Sequence, residues 1–545
     1  MLRRAWSWSL LLLVVLAGCS RCGKESGPAG PAGKPVTVER FLPRDARATI
    51  VISDLGTLGE KLARFQSLKI ASFVAQLQNS TSAESLVSSL MRQVGVDLRN
   101  RQAIEAAGIA PGKGAGAAVL TTGDVYSVLG VKDAKKLEET FANLARTRLG
   151  ASERKEEKAG GGTLVTFSRQ GATEPALGLL FVGDYVLVAP YMAVARLAEI
   201  AAQPAEKSLA DEPILTASLG RLPKGQDFHV FMRGGMGMVP PGSVEGLTLA
   251  GYIEERAVTV RADAPWPDTK ASLAPLAIKD GPDLQGYLPA DSFLVARYRG
   301  DPATLSEVWP YLAGQYITRA VQQSGFDVKG EVLDNLQSGL SAGVALAPTV
   351  QLGTGLPDLD IRRTNPFRFV HVMVVGEAKD AAKAQATLAK VPGIAGNFGA
   401  QVQPEQVNGK PVYITSYRAG EGAHFAEAGG KLVLAAPRPR LEAAITQLAG
   451  KPGESPVAQD LRDAVKEPVF TLVLDLRKLA DSVRNLPSEA WGVGGFAIKT
   501  TTVRWLDATD DLRAVTLSLS QKDKALQAEL SLKLTPAPAP TPSAQ

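Results

Sequence analysis

The sequence predicts an α+β protein made of two tandem homologous domains, each a mostly antiparallel sheet with helices packed on one face. Three observations predict it: short apolar runs joined by glycine-containing turns, amphipathic segments between these runs, and motifs that recur about 247 residues further along the chain. Hairpins interleaved with helices are typical of antiparallel α+β folds. A chain of 545 residues is long enough for two hydrophobic cores.

In the first half, the spacing of Leu58, Leu62 and Phe65 places them on one face of a helix that begins at Leu55. Gly183-Asp184 predicts a tight hairpin between two apolar strands. Further helices are expected at 132–145 and 193–202, and strands at 48–52, 115–120, 125–131, 163–168, 177–182, 185–189 and 228–232. The charged run 153–158 has mixed sign and precedes glycines, so it is predicted as a solvated loop.

The second half repeats this pattern. Helices are expected at 379–390 and 440–448, and strands at 293–297, 369–375, 412–417, 431–435 and 470–474. Residues 335–357 carry no formal charge, but their glycines, Pro348 and Gln351 disfavour a membrane span. This stretch is predicted as a buried strand pair followed by a loop.

Four pairs of short motifs recur in the same order along the chain, at offsets of 246, 247, 247 and 257 residues. The pairs are Phe41-Leu42-Pro43 with Tyr287-Leu288-Pro289, Lys132-Asp133-Ala134 with Lys379-Asp380-Ala381, 183–190 with 430–437, and 256–260 with 513–517. A period this long indicates a duplicated domain rather than a solenoid repeat. The arrangement resembles an uncharacterised family of bacterial envelope proteins built from duplicated domains. That family has no established activity to transfer.

The amino terminus has the features of an export signal. Arg3 and Arg4 precede the apolar run 10–17, which is too short to span a bilayer as a helix. The following Leu16-Ala17-Gly18-Cys19 resembles the lipobox of bacterial lipoproteins. That resemblance implies cleavage between Gly18 and Cys19, a diacylglyceryl group on the Cys19 thiol and a fatty acyl group, such as palmitate, on its amino group. An ordinary secreted protein or a single-span anchor is the alternative.

Lipoprotein sorting gives a further expectation about location. Ser20, rather than Asp, follows the modified cysteine. By analogy with other bacterial lipoproteins, this favours the outer membrane over the inner membrane. The predicted organisation is a signal peptide 1–18, a lipidated cysteine with a flexible Gly/Pro/Ala tether 19–37, a first domain 38–270, a linker 271–283, a second domain 284–534 and a disordered Pro/Ala tail 535–545.

Charge and cysteine content point away from several function classes. Lys and Arg total 60 against 55 Asp and Glu, and the two signs are interspersed, so nucleic-acid binding is not expected. The only cysteines are Cys19 and Cys22, so no disulfide framework supports the body. Their C-x-x-C spacing lacks the βαβ context of a redox pair.

No catalytic, cofactor or metal site is predicted. The three histidines, His229, His371 and His424, lack the spacing of metal ligands and are interpreted as packed or rim residues. The glycine-rich stretch 112–116 precedes a strand and does not match a phosphate-binding loop. No G-x-S-x-G elbow follows a strand. The carboxylate pairs 254–255 and 510–511 are interpreted as solvated edges, and the Gly- and Met-containing stretch 234–238 as a loop.

These observations predict a lipid-anchored, noncatalytic protein of the bacterial cell envelope that binds or scaffolds through two homologous domains. The membrane, reached through the lipid on Cys19, and an envelope protein are the expected partners. The first alternative is a carrier or chaperone of an apolar ligand or lipid in the envelope. The second is an envelope hydrolase, whose distant carboxylates a sequence does not reveal.

Overall fold

The chain forms two compact units, Met1–Pro267 and Asp268–Gln545, which are described separately. The computed structural model describes residues 36–77, 80–234, 244–266, 273–307, 323–347, 367, 369–417, 420–491 and 495–535. Both units combine antiparallel strands with several helices, so the α+β prediction is confirmed. The predicted signal peptide, Cys19, Cys22 and the tether up to residue 35 lie outside the described residues, as do residues 235–238, 271–272, 348–357 and 536–545.

Within its described residues, the first unit has ten strands in one antiparallel sheet. The strands are β1 Ala48–Ile52, β2 Ala115–Val119, β3 Val125–Gly130, β4 Glu153–Ala159, β5 Gly162–Ser168, β6 Leu177–Val182, β7 Tyr185–Pro190, β8 Phe228–Arg233, β9 Gly246–Ile253 and β10 Ala257–Pro265. Their order across the sheet is β10-β9-β8-β1-β2-β3-β7-β6-β5-β4.

Capping residues fix where the helices of this unit begin. Asp54 accepts hydrogen bonds from the amides of Gly56 and Thr57 at 2.8 and 3.1 Å. Asp133 accepts one from the amide of Lys136 at 3.1 Å. The helices are α1 Leu55–Phe65, α2 Lys69–Leu77, α3 Ala83–Val94, α4 Arg101–Ala106, α5 Ala134–Leu144, α6 Leu197–Ala202 and α7 Pro213–Arg221. The first part of the helix predicted at 193–202 is a 3-10 helix, Tyr191–Arg196.

Helices cover both faces of this sheet, so the prediction of helices on one face is wrong. Val186 packs in a core with Leu58 of α1 and Leu137 of α5. Leu187, the next residue along β7, packs in a second core with Leu197 of α6. Consecutive strand residues point to opposite faces, and β6 and β7 are apolar at nearly every position. Such continuous apolar runs are typical of strands buried on both sides.

The charged run 153–158, predicted as a loop, lies in strand β4 instead. β4 occupies the end of the strand order and pairs with β5 from Glu153 opposite Ser168 to Ala159 opposite Gly162. Its side chains are almost all exposed, and Arg154 contacts Glu138 and Glu156 at 2.6 and 2.7 Å. An edge strand is held by backbone hydrogen bonds and needs no apolar face, while its charges discourage pairing with another chain.

The second unit also forms an antiparallel sheet. Its strands are β11 Leu294–Tyr298, β12 Leu340–Leu346, β13 Val370–Glu377, β14 Ala400–Val407, β15 Lys410–Tyr417, β16 Gly420–Glu421, β17 His424–Ala428, β18 Lys431–Ala436, β19 Phe470–Asp475, β20 Leu512–Lys522 and β21 Ala525–Leu534. The order is β21-β20-β19-β11-β12-β13-β18-β17-β15-β14, with β16 pairing beside β17 on β15. Without the two-residue β16, this is the strand order of the first unit.

Helices again lie on both faces. On one face, Leu441 and Ile445 pack in a core with Ala426 and Val433. Glu427, the neighbour of Ala426 along β17, accepts a hydrogen bond of 2.8 Å from the side-chain amide of Gln385 on the opposite side. The helices are α8 Ala381–Leu388, α9 Val391–Ala395, α10 Arg438–Leu448, α11 Arg462–Lys466, α12 Leu476–Arg484 and α13 Gly495–Ala508. Within the described residues, no helix is long and apolar enough to cross a membrane.

Three of the four recurring motif pairs lie at corresponding places in the two strand orders. Asp380 caps α8 through the amide of Lys383 at 3.1 Å, as Asp133 caps α5. The fourth pair does not correspond, because 256–260 leads into β10 whereas 513–517 lies in β20, the counterpart of β9. In the second unit, α12 and α13 lie between β19 and β20, and the offset of 257 joins two strands that are not equivalent.

Candidate functional site

An open apolar groove lies in the first unit, where β3 begins and β7 ends. Its volume is about 420 Å³, within the range of small-molecule sites in proteins. The lining residues are Gly123, Asp124, Val125, Tyr126, Ser127, Phe141, Leu144, Arg148, Leu149, Arg169, Glu174, Leu177, Val188, Pro190, Tyr191, Met192 and Ala193. These come from distant segments of the chain, and no sequence motif marks them as one site.

Most of the residues that line the groove are aliphatic or aromatic. Val125 of β3 and Val188 of β7 project from the face of the sheet that α5 covers. Phe141 and Leu144 project from α5, where a spacing of three residues puts them on one helix face. Leu177, at the start of β6, also lines the groove. An apolar molecule in this groove would exchange water for hydrocarbon contacts along its length.

Two apolar side chains stand at the lip of the groove. Tyr191 is 37% exposed and Met192 is 72% exposed, although both are large. The backbone φ of Tyr191 is 48°, in the left-handed region that bulky residues rarely adopt. Such strain costs about 1–3 kcal/mol and concentrates at functional sites. The turn after Pro190 therefore presents this exposed pair at an energetic cost.

One arginine at the rim is held in place while most of its donors stay free. The Nε–H of Arg169 donates a hydrogen bond of 2.7 Å to the carbonyl of Leu149. Its two Nη atoms have no hydrogen-bond partner among the residues that the structure describes. By contrast, the carboxylate of Asp124 accepts a hydrogen bond of 2.7 Å from the Thr122 hydroxyl. Arg169 is thus an oriented cation beside an apolar groove.

The strand beneath the groove is anchored from its other face. Tyr126 is buried to 1% exposure, and its hydroxyl donates a hydrogen bond of 2.5 Å to the carbonyl of Phe41. Burial raises the pKa of the Tyr126 phenol well above its ordinary value. The phenol therefore remains a hydrogen-bond donor at neutral pH and ties β3 to the Phe-Leu-Pro motif.

A second polar centre lies in the second unit, where β17 begins and α10 starts. The amide of Thr415 donates to Nδ1 of the fully buried His424 at 2.9 Å. Because Nδ1 accepts, Nε2 carries the hydrogen and donates to Glu421 at 2.7 Å. Glu421 also accepts a hydrogen bond of 2.7 Å from the amide of Arg438 at the start of α10. Both ring nitrogens of His424 are therefore used by the fold.

The two other histidines have different surroundings. Nδ1 of His371 accepts a hydrogen bond of 3.0 Å from Arg440, which also pairs with Asp291. Burial, and next the charge of Arg440, lower the pKa of His371. His229 in β8 is 3% exposed, and neither ring nitrogen has a hydrogen-bond partner within the described ranges. Burial lowers its pKa as well.

The remaining sequence candidates have structural roles. In the stretch 112–116, Gly114 has a φ of 79° at the turn into β2, and Lys113 pairs with Asp184 at 2.9 Å. Asp510 pairs with Arg484 at 2.6 Å. Among the described residues, no group of three or more His, Cys, Asp or Glu side chains is placed to hold a metal ion.

Comparisons with known proteins give little. No family model matches the chain, and no curated protein matches it. Two crystal forms of the protein TP0453 align with 44% of this chain, covering 81% and 83% of that chain. The identities are 8% and 6% and the TM-scores 0.24 and 0.25, values that carry no argument about fold or function.

Proposed function

We propose that the chain is a lipid-anchored, noncatalytic protein of the bacterial cell envelope that binds its partner through two homologous domains. The observation that carries the proposal is the recurrence of one ten-strand order in both units. The capping aspartates Asp133 and Asp380 add to it, because each begins the helix after the third strand of its unit. Duplication of one ancestral domain accounts for both observations.

Two related domains suit a partner that is itself repeated or symmetric. When one domain has bound, the second meets its site at a raised effective concentration, so overall affinity exceeds that of either domain alone. The charged edge strand β4 makes pairing by strand addition unfavourable. Side-chain surfaces and grooves are therefore the expected contact regions.

Binding rather than catalysis is favoured by what the histidines contact. Both ring nitrogens of His424 are hydrogen-bonded, Nδ1 to the Thr415 amide and Nε2 to Glu421. His229 is sealed in the core at 3% exposure. A histidine that acts as a general base needs a ring nitrogen within reach of a substrate proton, and neither of these two residues offers one.

The anchor is proposed on the lipobox resemblance of Leu16-Ala17-Gly18-Cys19. A lipid on Cys19 and the short Gly/Pro/Ala segment after it would keep the body near the membrane surface, with the outer membrane favoured by Ser20. Several acyl chains together give a firm hold, because each buried methylene contributes about 0.8 kcal/mol.

In-cell cross-linking followed by affinity purification tests the proposal. The wild-type chain is compared with Cys19→Ser, in which the anchor is lost but the two units are unchanged. We expect a reproducible set of envelope proteins with the wild type and a reduced set with the variant. Replicates that enrich nothing over an unrelated lipoprotein of similar size would refute partner binding.

The groove of the first unit favours a second candidate function, a carrier of an apolar ligand or lipid. Its apolar walls, volume of about 420 Å³ and exposed Met192 support this candidate. Native mass spectrometry of the purified full chain tests it. A co-purifying apolar molecule is expected, and its absence together with failure to take up any added lipid would exclude a carrier.

A further inference from the structure

We infer that the groove of the first unit binds a long-chain carboxylate, with its hydrocarbon chain along the apolar walls and its carboxylate on Arg169. The inference deepens the carrier function proposed above and rests on it. It does not depend on the lipid anchor or on the partner protein. It follows from the placement of one oriented cation at the rim of a groove whose lining is mostly aliphatic and aromatic, with Asp124, Arg148 and Glu174 as its other charged residues.

The position of Arg169 suits a carboxylate better than other polar groups. Its Nε is already bonded to the Leu149 carbonyl, so the plane of the guanidinium is fixed before a ligand arrives. The two Nη atoms are without partners among the described residues and present parallel donors. A carboxylate accepts two such hydrogen bonds at once, whereas an alcohol or an ester offers weaker, uncharged acceptors.

The walls suit an unbranched hydrocarbon chain. Val125 and Val188 lie on neighbouring strands, with Phe141 and Leu144 of α5 across from them, so a chain between these elements contacts apolar atoms on two sides. The volume of about 420 Å³ is near the lower end of the range for small-molecule sites and favours one slender chain over a bulky ring system.

The side chains at the lip of the groove, Tyr191 and Met192, can cover a bound ligand and adapt to its shape. Met192 is 72% exposed next to the strained Tyr191, and its unbranched thioether can follow the contour of a ligand that varies in length. Contact between Met192 and the outer part of the ligand's hydrocarbon chain would remove apolar surface of both the protein and the ligand from water. This accounts for an exposed methionine directly after a residue whose backbone is strained.

Displacement of a fluorescent fatty-acid probe from the purified full chain tests the inference. Palmitate is compared with hexadecanol, which has the same chain length but no carboxylate. We expect palmitate to bind at least about tenfold more tightly than hexadecanol. Equal affinities would overturn the role of Arg169 as a carboxylate anchor.

Three variants locate the site. Arg169→Met removes the charge and should weaken palmitate about tenfold while leaving hexadecanol unchanged. Val125→Phe fills the groove and should weaken both ligands. Arg196→Met is the matched control, since Arg196 is exposed, pairs with Glu199 and lies outside the groove, and it should change neither affinity.

The variants also separate the possible failures. If palmitate binds but Val125→Phe and Arg169→Met leave its affinity unchanged, the site lies elsewhere and this inference fails while a carrier function survives. If neither palmitate nor hexadecanol binds a wild-type chain with an intact melting transition, the inference fails, and the carrier function fails as well if native mass spectrometry finds no co-purifying or added lipid on the chain. The melting temperature of each variant shows whether a loss of binding follows from a loss of folding.

Discussion

Tyr126 and Phe41 are joined by a buried hydrogen bond that links the Phe-Leu-Pro motif to the strand beneath the groove. The hydroxyl of Tyr126 lies 2.5 Å from the carbonyl of Phe41, 85 residues earlier in the chain. Phe41 and Tyr126 belong to the same hydrophobic core, on the sheet face opposite the groove walls. The motif thus positions β3 as well as preceding β1.

Tyr126→Phe should lower the stability of the first unit by about 1–3 kcal/mol, because it leaves the Phe41 carbonyl unpaired in the core. Hydrogen exchange of peptides from β3, measured by mass spectrometry, reports on this unit separately. Tyr252→Phe is the matched control: its hydroxyl bonds the Pro223 carbonyl at the exposed surface, where water can replace it. Equal losses of stability in the two variants would show that the buried hydrogen bond contributes no more than the exposed one.

A buried carboxylate organises another part of the same unit. Glu212 is fully buried and accepts hydrogen bonds from Arg44 at 3.0 Å, Arg233 at 2.6 Å and the Ile214 amide at the start of α7 at 3.1 Å. Glu212→Gln should destabilise the unit by about 1–3 kcal/mol, since charged hydrogen bonds become neutral ones. Exchange protection of α7 is the measurement. Glu206 is exposed, so Glu206→Gln should leave α7 unchanged, and a comparable loss there would argue against a specific role of Glu212.

The buried His229 and the half-buried His371 should make their units less stable in mild acid. Burial lowers the pKa of His229 and of His371 below the ordinary 6.5, so the unfolded chain binds protons more readily than the folded one just below that pH. Stability is therefore fully present above about pH 6.5 and falls as the pH drops towards the lowered values. Arg440, Asp291 and Glu421 surround His371, and Glu39 is the charge that acts on His229.

His229→Leu should remove the acid sensitivity of the first unit. Both ring nitrogens of His229 lack partners among the described residues, so an apolar side chain avoids their desolvation cost. We expect the stability of the variant at pH 7.5 to be unchanged or higher than that of the wild type. Between pH 6.5 and pH 5 its stability should depend less on pH. Hydrogen exchange of β8 peptides measures both. His371→Gln, in the other unit, is the control that should leave β8 unaffected. A steeper pH dependence in His229→Leu would contradict the assignment.

The sequence was informative where a local signal controls the structure. The strands 48–52 and 177–182 were predicted at their observed bounds, since each is an apolar run of strand length before a Gly- or Asp-containing turn. The run 153–158 was mispredicted, because an edge strand takes its stability from pairing with β5 and carries no apolar pattern. Local patterning is therefore reliable only for strands that bury side chains.

The groove was not predictable for a different reason. The sequence pattern predicts ordinary core positions for Val125, Phe141 and Leu177. Only the fold leaves space between them. The left-handed backbone at Tyr191 has no sequence signature, since tyrosine rarely adopts it. The freedom of the Arg169 Nη atoms depends on the contact of its Nε with Leu149, twenty residues away.

The lipid anchor yields the most direct test on the whole chain. Cys19→Ser removes the thiol that the diacylglyceryl transfer requires, so the variant should remain at precursor size and incorporate no labelled palmitate. Cys22→Ser keeps Cys19 and should be processed and labelled like the wild type, which makes it a closely matched control. Membrane fractionation should then recover wild type and Cys22→Ser with the outer membrane. Labelling that persists in Cys19→Ser, or is lost in Cys22→Ser, would move the modification away from Cys19 and remove the basis for the proposed anchor.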